Sequence, residues 1–421
     1  MTRLRRATHQ TFRSMQVRNF RLYFVGQIVS ATGTWMQSIA QSWLVLQLTD
    51  SGVALGITVA LQFTPMLLGG AWSGVLADRV DKRRLLIGTQ VAAGTLALVL
   101  GTITALGVVQ LWMIYVLAAS LGIVTALDNP ARRAFVVEMV GTEHITNAVS
   151  LSSALFTAAR VIGPAIAGLL IAGAGISWCF FANALSYVAA IAAFVLMRRE
   201  EFFPVTPVER RKGQLREGLH YAWSNPVLRI PLLMTAVIGT FSFNFQVVLP
   251  LVAKNTFGGD AGTFAMLFAF MSIGSVIGAL VTAHRPHASE RFLVGAALTY
   301  GIVLLASALA PTLVTELMVM VPVGAAGIAF VAMTNGVLHT ECAPEMRGRV
   351  MALFSVAFLG STPIGGPIVG WISQALGPRA GLGVGALAAL AAAGAVLVWA
   401  GHGERTGSVA TSGSSRSAAT A

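Results

Sequence analysis

Long runs of apolar residues, each about as long as a membrane span, follow one another along most of the chain. Residues 113–127, 148–173, 180–197 and 382–399 contain almost no charged side chains. A helix needs about 20 predominantly apolar residues to cross a bilayer core of roughly 30 Å. Lipid cannot satisfy open backbone polar groups, and the short alternating segments of a transmembrane barrel are absent from the sequence. The pattern therefore predicts an all-α membrane protein.

We predict twelve transmembrane helices in two pseudo-symmetric six-helix halves. The predicted spans are 20–48, 54–77, 85–106, 111–127, 148–172, 177–197, 230–252, 262–283, 292–310, 315–338, 350–376 and 381–399. The predicted parts are a cytoplasmic N-terminal arm (1–19), an N-terminal half (20–197), a cytoplasmic linker (198–229), a C-terminal half (230–399) and a disordered tail (400–421). In the linker, Leu215, Leu219 and Ala222 recur at helical spacing, which indicates a short amphipathic helix.

Two related halves are indicated by patterns that recur in order along the chain. Gly163-Pro164 recurs 203 residues later as Gly366-Pro367. The patterns that begin at Asn19 and Gly74 recur at offsets of 206 and 204. Internal repeats of this kind are typical of membrane transporters.

Composition supports the membrane assignment. The chain has 421 residues, of which 56% are hydrophobic and 10% charged, and its mean hydropathy is +0.76. Soluble domains carry roughly 25% charged residues, so a water-soluble protein of this size is excluded.

The distribution of positive charge gives the expected orientation. The formal net charge is +12, and 25 of the 28 Lys and Arg residues lie in the two termini and the alternate loops on one side. Two lie on the other side, and Arg160 lies inside a span. Cytoplasmic loops carry the excess of Lys and Arg, so we expect both termini to be cytoplasmic. Membrane orientation explains this charge better than nucleic-acid binding does.

Arg160 is a charged residue within an apolar run. It lies about 13 residues beyond Asn147, or roughly 20 Å at 1.5 Å per residue. An arginine at that depth costs about 2.5–3.5 kcal/mol on insertion scales, so it should face protein or water. Contact with an anionic or oxygen-rich substrate and a structural role beside backbone carbonyls both remain open.

A stripe of polar residues, spaced three or four apart, indicates one polar face on helix 1. The stripe consists of Gln27, Ser30, Thr34, Gln37 and Gln41. Span 7 offers a similar set, Thr240, Asn244 and Gln246. Such a face looks either into a cavity, where it would contact substrate, or into another helix, where it would form interhelical hydrogen bonds.

The loop between spans 2 and 3 carries a more specific pattern. Gly74-Val-Leu-Ala-Asp78-Arg79-Val-Asp81-Lys82-Arg83-Arg84 resembles the loop signature of the major facilitator superfamily, with Asp81 in place of the usual glycine. Gly163-Pro164 in span 5 resembles the Gly-Pro signature of exporters in that superfamily. The segments 18–21, 33–37, 128–132 and 215–218 resemble its transmembrane secretion effector branch, which includes the enterobactin exporter and is similar to macrolide efflux proteins.

This resemblance implies the major facilitator fold, with helices 1, 4, 7 and 10 lining a central cavity. With Tyr115 and Asn335 added, the expected substrate contacts are Gln27, Thr34, Gln37, Gln41, Tyr115, Arg160, Asn244, Gln246 and Asn335. The resemblance also implies a conformational switch in which Asp78 faces the start of helix 11, near 348–351, and Lys82 pairs with Asp128. A simple positive anchor for the loop, and ordinary small-residue packing for Gly163-Pro164, are the alternatives. The expected switch residues are Gly74, Asp78, Arg79, Lys82, Arg83, Asp128, Gly163 and Pro164.

We therefore expect a secondary active transporter, and no enzyme, that exports a small organic molecule such as a drug, siderophore or secondary metabolite by alternating access across a bacterial inner membrane. The sequence has no GxxxxGK[ST] phosphate loop and no metal-ligand spacing, so we expect no ATP hydrolysis, metal or cofactor. The expected partners are a small organic substrate, lipid and coupling protons, with the chain acting as a monomer. No carboxylate lies in the middle of a predicted span, which leaves the proton site unassigned. Uptake on the same fold, or a scaffold or sensor without transport, are the alternatives to export.

Overall fold

The computed structural model describes residues 12–203, 214–283 and 289–414, and the described residues form helices without strands. A short helical turn, Arg13–Gln16, leads into the bundle. The helix Leu111–Ala174 bends at Gly141, so we treat it as α4 (111–140) and α5 (142–174). The other helices of the first half are α1 (Arg18–Thr49), α2 (Gly52–Arg79), α3 (Lys82–Ala105) and α6 (Ser177–Val195).

The second half contains more, shorter helices because two of its spans are interrupted. The linker helix is α7 (Gln214–Ser224). The helices that follow are α8 (Pro226–Ser242), α9 (Phe245–Leu251), α10 (Ala261–Ala283), α11 (Glu290–Ala308), α12 (Leu313–Glu341), α13 (Arg347–Leu359), α14 (Thr362–Leu376) and α15 (Pro378–Ser414). We call α1–α6 the N half and α8–α15 the C half.

Most of the predicted membrane spans correspond to long apolar helices of the structure. Ten helical segments of the described residues are long and apolar enough to span a bilayer. One of them, Leu111–Ala174, has 64 residues and bends at Gly141, so it is long enough for two crossings. The 32-residue α1 is long enough but more polar than the ten, because it carries the polar stripe. With these two additions the described helices are long enough for the twelve predicted spans.

The connection between spans 4 and 5 differs from the prediction. The segment 128–147 was expected to be a loop because it carries charged residues, but it is helical apart from Gly141. Gly141 has a φ of 68°, which only glycine adopts without strain, and this residue turns the chain from α4 into α5. The charged residues remain helical because Asp128 and Arg132, one turn apart, form an ion pair of 2.6 Å.

Spans 7 and 11 were predicted as continuous helices and are interrupted. Span 7 breaks between Ser242 and Phe245, and span 11 breaks at Gly360-Ser361. The breaks are neighbours, since the rings of Phe243 and Phe358 lie 5.1 Å apart. A distant helix stabilises the break in span 7, where the Tyr300 hydroxyl donates to the Ser242 carbonyl at 3.0 Å. The break in span 11 has a local bond, from the Ser361 hydroxyl to the Phe358 carbonyl at 2.7 Å. Hydropathy could not reveal the breaks, because the apolar runs continue through both.

The linker and the tail were also predicted, and the tail differs. An amphipathic helix was expected in the linker, and α7 is that helix. It buries Ala222, leaves Leu219 half exposed and pairs Glu217 with Arg349 of α13 at 2.6 Å. The tail was expected to be disordered from residue 400, whereas α15 continues to Ser414. Residues 401–414 include no proline, the residue that most strongly stops a helix. Residues 415–421 lie outside the described part.

The two halves meet closely at one end of the bundle, which we call the Asp50 face. Ser51 donates to Gln374 Oε1 at 2.8 Å, and Lys254 pairs with Asp50 at 3.0 Å. Beneath these contacts α2 and α14 approach through glycines, since a Cβ added at Gly56 would lie 2.3 Å from the carbonyl oxygen of Gly366. We call the opposite end, where α3 begins after Asp81, the Asp81 face.

Candidate functional site

A cavity of about 240 Å³ lies between the two halves. The N half contributes four lining residues, Trp35, Val59, Phe63 and Arg160. The C half supplies the others, including residues beside both helix breaks. These are Phe243, Asn244, Phe245, Gln246, Val247, Phe268, Met271, Ser275, Val323, Gly324, Gly327, Ile328, Val331, Phe358, Leu359 and Thr362. The wall is therefore mostly aromatic and aliphatic, with a few polar groups, as is common in sites for small organic molecules.

Arg160 is the only charged residue among the described residues that line this cavity. Its guanidinium carbon lies 5.4 Å from the ring centre of Trp35 in the N half and 5.7 Å from that of Phe268 in the C half. The Arg160 Nε is buried without a hydrogen-bond partner. Within the described part of the chain, no carboxylate comes within the 4.0 Å of an ion pair with Arg160. The cavity thus presents an uncompensated positive charge between two rings.

Gly163, three residues after Arg160 on α5, allows that helix to pack closely against α1. A Cβ on Gly163 would lie 2.6 Å from the Cβ of Trp35 and 2.8 Å from the Thr32 carbonyl oxygen. The Gly163-Pro164 pair was expected at the boundary between the halves, but Gly163 packs α5 against α1 inside the N half. The close approach to the C half occurs at Gly168, whose Cβ would lie 3.1 Å from Ala265.

Asn244 and Gln246 line the cavity from the break in span 7. Asn244 is only 4% exposed, and its Nδ2 donates to the Thr240 carbonyl at 2.6 Å. The Asn244 Oδ1 is buried and has no donor. Gln246 Nε2 donates across the halves to Ser38 Oγ at 2.9 Å. The structure thus brings three of the nine predicted substrate-contact residues together at one cavity: Arg160, Asn244 and Gln246.

The polar stripe of α1 lies mainly against α6. Asn183 donates its Nδ2 to Gln37 Oε1 at 2.7 Å, and the Thr34 hydroxyl lies 3.3 Å from that of Tyr187. Gln27 and Gln41 are also buried in the N half and do not line the cavity. For Gln37 and Thr34, the arrangement corresponds to the interhelical alternative.

Tyr115 and Asn335 are half-buried and lie away from the cavity lining in this structure. The Asn335 Nδ2 donates to the Val331 carbonyl of its own helix at 2.8 Å. Their proposed contact with substrate stays a prediction.

The expected pairing of Lys82 with Asp128 is wrong. Lys82 Nζ lies 2.7 Å from Glu138 Oε1, and the two side chains are 15% and 20% exposed. Asp128 pairs instead with Arg132 and accepts hydrogen bonds from Thr89 and Gln90 at 2.8 and 2.9 Å. The prediction ended helix 4 at residue 127, which placed Glu138 in a loop, whereas α4 runs on and brings Glu138 beside Lys82.

The rest of the loop motif binds within the N half. Asp81 has a φ of −57° and accepts from the Arg84 amide at 2.9 Å, so it begins α3 as an N-cap without needing glycine. Arg83 donates at 2.7 Å to the carbonyls of Phe194 and Val195, which end α6. Arg79 is exposed. The side chains of Gly74 and Asp78 lie outside the described part, so the contact of Asp78 with helix 11 stays a prediction.

A double-mutant cycle distinguishes the observed pairing from the expected one. We expect Lys82→Met and Glu138→Gln to be strongly non-additive in thermal unfolding, with a coupling of about 1–3 kcal/mol, because contacting charges couple. Lys82→Met and Asp128→Asn should be additive to within about 0.5 kcal/mol, because they share no contact. Equal coupling in both cycles would contradict the assignment.

Sequence reasoning missed Glu316, which is the most buried acidic residue of the described chain at 1% exposure. Its Oε1 accepts from the Ser307 hydroxyl at 2.7 Å, and its Oε2 is buried without a partner. Glu316 lies in the first turn of α12, where a carboxylate normally complements the helix dipole. Its position at the predicted start of span 10 indicated an interfacial residue, so its burial had no signal in the sequence.

Comparison with known proteins shows a family match and several relatives in sequence. A model of the transmembrane secretion effector family matches residues 9–406. The chain is 28% identical over 263 residues to the staphyloferrin A transporter of Staphylococcus aureus, covering 62% of this chain and 65%, slightly less than two thirds, of that protein. It is 23% identical over 379 residues to the enterobactin exporter EntS of Salmonella choleraesuis, covering 87% of this chain and 88% of that protein.

Solved structures agree on the architecture. The fold is similar to that of the nucleoside transporter NupG, with a TM-score of 0.71 at 11% identity, covering 90% of this chain and 98% of that one. At this identity the likeness shows the fold alone. The family match, which spans nearly the whole chain, goes further. The chain therefore belongs to the transmembrane secretion effector family of the major facilitator superfamily.

Proposed function

We propose that this protein is a secondary active exporter that moves a small organic molecule across the membrane by alternating access. The observation that carries the proposal is the aromatic cavity between the halves, which has one unpaired cation in its wall and lies beneath the contacts of the Asp50 face. A scaffold or sensor has no need to keep an unpaired arginine at the boundary between two halves. One chain encloses the whole cavity, which supports function as a monomer.

Orientation follows from charge at the two ends. Arg84 and Arg198 are exposed at the Asp81 face, at 74% and 63% of their side chains. The Asp50 face carries the balanced pair of Asp50 and Lys254. By the positive-inside rule the Asp81 face is the cytoplasmic one, with both termini cytoplasmic. We assign the protein to the bacterial inner membrane because the relatives named above come from bacteria. In this structure the cavity is then closed toward the outside, as one of the two states that alternating access requires.

We favour export over uptake because one relative, EntS, is named as an exporter. An uptake symporter on the same fold is the second candidate. Deleting the gene and measuring metabolites and drugs inside and outside the cells separates the two. Export predicts higher internal levels of the substrate in the deletion strain, and uptake predicts lower levels. Equal levels of every compound in both strains would contradict transport in either direction.

We propose protons as the coupling ion. Two buried carboxyl groups of the described chain are the candidates for proton uptake, Asp128 beside Arg132 and Glu316 with its unpartnered oxygen. Both carboxyl groups are held inside the helix bundle, so a change of conformation alters their contacts, and the variants below test whether either of them exchanges the coupling proton.

Proton coupling predicts that export depends on the pH gradient. In proteoliposomes, substrate movement should increase several-fold when a gradient is imposed with protons more concentrated on the Asp50 side, and an uncoupler should abolish the increase. Asp128→Asn and Glu316→Gln should be measured in parallel, since the variant that carries the coupling group should transport at the same rate with and without the gradient. Unchanged gradient dependence in both variants would exclude these carboxyl groups, and no gradient dependence in the wild type would exclude proton coupling.

A further inference from the structure

Two residues that line the cavity each carry a buried polar atom without a hydrogen-bond partner in the protein, and the two atoms are chemically opposite. Arg160 Nε is a donor on a cation, and Asn244 Oδ1 is an acceptor on a neutral amide. Both belong to residues that line the same cavity of about 240 Å³. Leaving a buried polar group unpaired is energetically costly, and more so when the group is charged. The pair therefore describes what a bound molecule has to supply.

The Asn244 amide can be assigned without ambiguity. Oxygen and nitrogen of an amide are distinguished by their hydrogen bonds, and only the nitrogen can donate. The Asn244 nitrogen is fixed by the bond of 2.6 Å to the Thr240 carbonyl, which the break in span 7 leaves without its usual helical partner. The free oxygen must therefore accept a hydrogen bond from a hydroxyl or N–H group of the ligand.

Arg160 requires the opposite partner. The rings of Trp35 and Phe268 hold the guanidinium by cation–π contact but do not neutralise it. Removing a charge from water without an opposite charge is costly, so an anionic group of the ligand gains most by pairing with Arg160. A cationic ligand is repelled, because no acidic residue lines the described wall.

The other side chains of the cavity wall determine the apolar part of the ligand. Trp35, Phe63, Phe243, Phe245, Phe268 and Phe358 give the cavity flat apolar surfaces from both halves. Aromatic rings pair favourably with other rings, beyond the gain from the area they bury. The volume is below the usual range of about 300–1,000 Å³ for sites of drug-sized ligands, so the bound group is small.

We propose that this cavity recognises an aromatic acid that carries a hydrogen-bond donor beside its carboxylate. The carboxylate pairs with Arg160, the neighbouring hydroxyl or N–H donates to Asn244 Oδ1, and the ring packs among the aromatic side chains. The inference rests on the proposed transport function, because it names the substrate class of the same cavity. Two ordered waters satisfying the two atoms are the competing explanation.

Three matched probes test each part of the recognition on the unmodified protein. Mandelate has the ring, the carboxylate and an adjacent hydroxyl, phenylacetate lacks the hydroxyl, and mandelamide lacks the charge. Equilibrium dialysis of the purified protein should show that mandelate binds roughly tenfold or more tightly than either analogue, because each analogue leaves one buried group unpaired. Phenylacetate binding as tightly as mandelate would overturn the role of Asn244, and mandelamide binding as tightly would overturn that of Arg160.

A variant assigns the hydroxyl contact to its residue. Asn244→Ala should bind mandelate and phenylacetate equally, since it removes the acceptor and retains Arg160. Should this variant fail to fold, the comparison on the wild type still decides the proposal. Retention of the full preference for mandelate in a folded Asn244→Ala protein would contradict the assignment.

Transport measurements separate this inference from the proposed function. Proteoliposomes that move mandelate faster than phenylacetate support both. The protein could instead bind the probes selectively but move none of them in either direction, even with a pH gradient. That result would support the recognition site and contradict transport. Gradient-driven movement of another compound, with no selectivity among the three probes in dialysis, would support transport and contradict the proposed recognition site.

Discussion

Arg160→Met is expected to reduce substrate export at least tenfold without lowering the thermal stability of the protein. A hydrogen bond to a charged group contributes about 1.5–3 kcal/mol, and its loss at the substrate corresponds to a tenfold or greater loss of transport. Methionine fills much of the space of the arginine side chain, so the packing between Trp35 and Phe268 should survive. The measurement is uptake into inverted membrane vesicles, normalised to the amount of protein in the membrane.

The stability measurement distinguishes a functional arginine from a structural one. A buried charge without a counterion is unfavourable to the fold, so its removal should leave the unfolding temperature in detergent unchanged or raise it. A structural Arg160 predicts the opposite, a lower unfolding temperature together with any loss of transport. Normal export by a correctly inserted Arg160→Met protein would contradict substrate contact altogether.

Two further variants complete the design. Arg160→Lys keeps the charge but replaces a planar group that stacks on rings with a compact ammonium, so we expect intermediate transport. Arg291→Met removes a cation from an exposed position outside the cavity and is the matched control. Its transport should equal that of the wild type.

The sequence predicted the spans well because the bilayer imposes one simple condition on them. Twenty apolar residues in a row have few alternatives to a membrane helix, and the predicted and observed ends mostly differ by a few residues. The breaks in spans 7 and 11 could not be predicted in the same way. A break at Phe243 changes the backbone while leaving the hydropathy of the run unaltered, and the Tyr300 hydroxyl that satisfies it comes from a distant helix.

The candidate site was predicted in part, for reasons visible in individual residues. Arg160 was found because a charge in an apolar run has few harmless explanations. Phe268 and Phe358 were missed because phenylalanine in a membrane helix gives no sign of whether it faces lipid, a neighbour or a cavity. Gln37 was expected to contact substrate because a polar helix face needs a polar neighbour. The sequence does not show whether that neighbour is water in a cavity or, as observed, the Asn183 amide.

The contact between α2 and α14 is where a small substitution should have a large effect on the conformational equilibrium. Gly56→Ala places a Cβ 2.3 Å from the Gly366 carbonyl oxygen. Non-bonded atoms do not approach so closely, so the helices must separate. Overpacking of this kind costs about 1–3 kcal/mol, which would lower the population closed at the Asp50 face by roughly tenfold. Transport should fall with it, because one of the two alternating states becomes rare.

The same helix provides the control. A Cβ at Gly69 would meet no atom within 4 Å, so Gly69→Ala adds the same methyl group to α2 without disturbing the contact. Cross-linking of cysteines introduced at Ser51 and Gln374, whose side chains bond at 2.8 Å, reports closure of the Asp50 face. We expect the rate of cross-linking to fall several-fold in Gly56→Ala. In Gly69→Ala it should equal the rate in the protein that carries only the two cysteines. Equal cross-linking in the two variants would show that the glycine contact does not control closure.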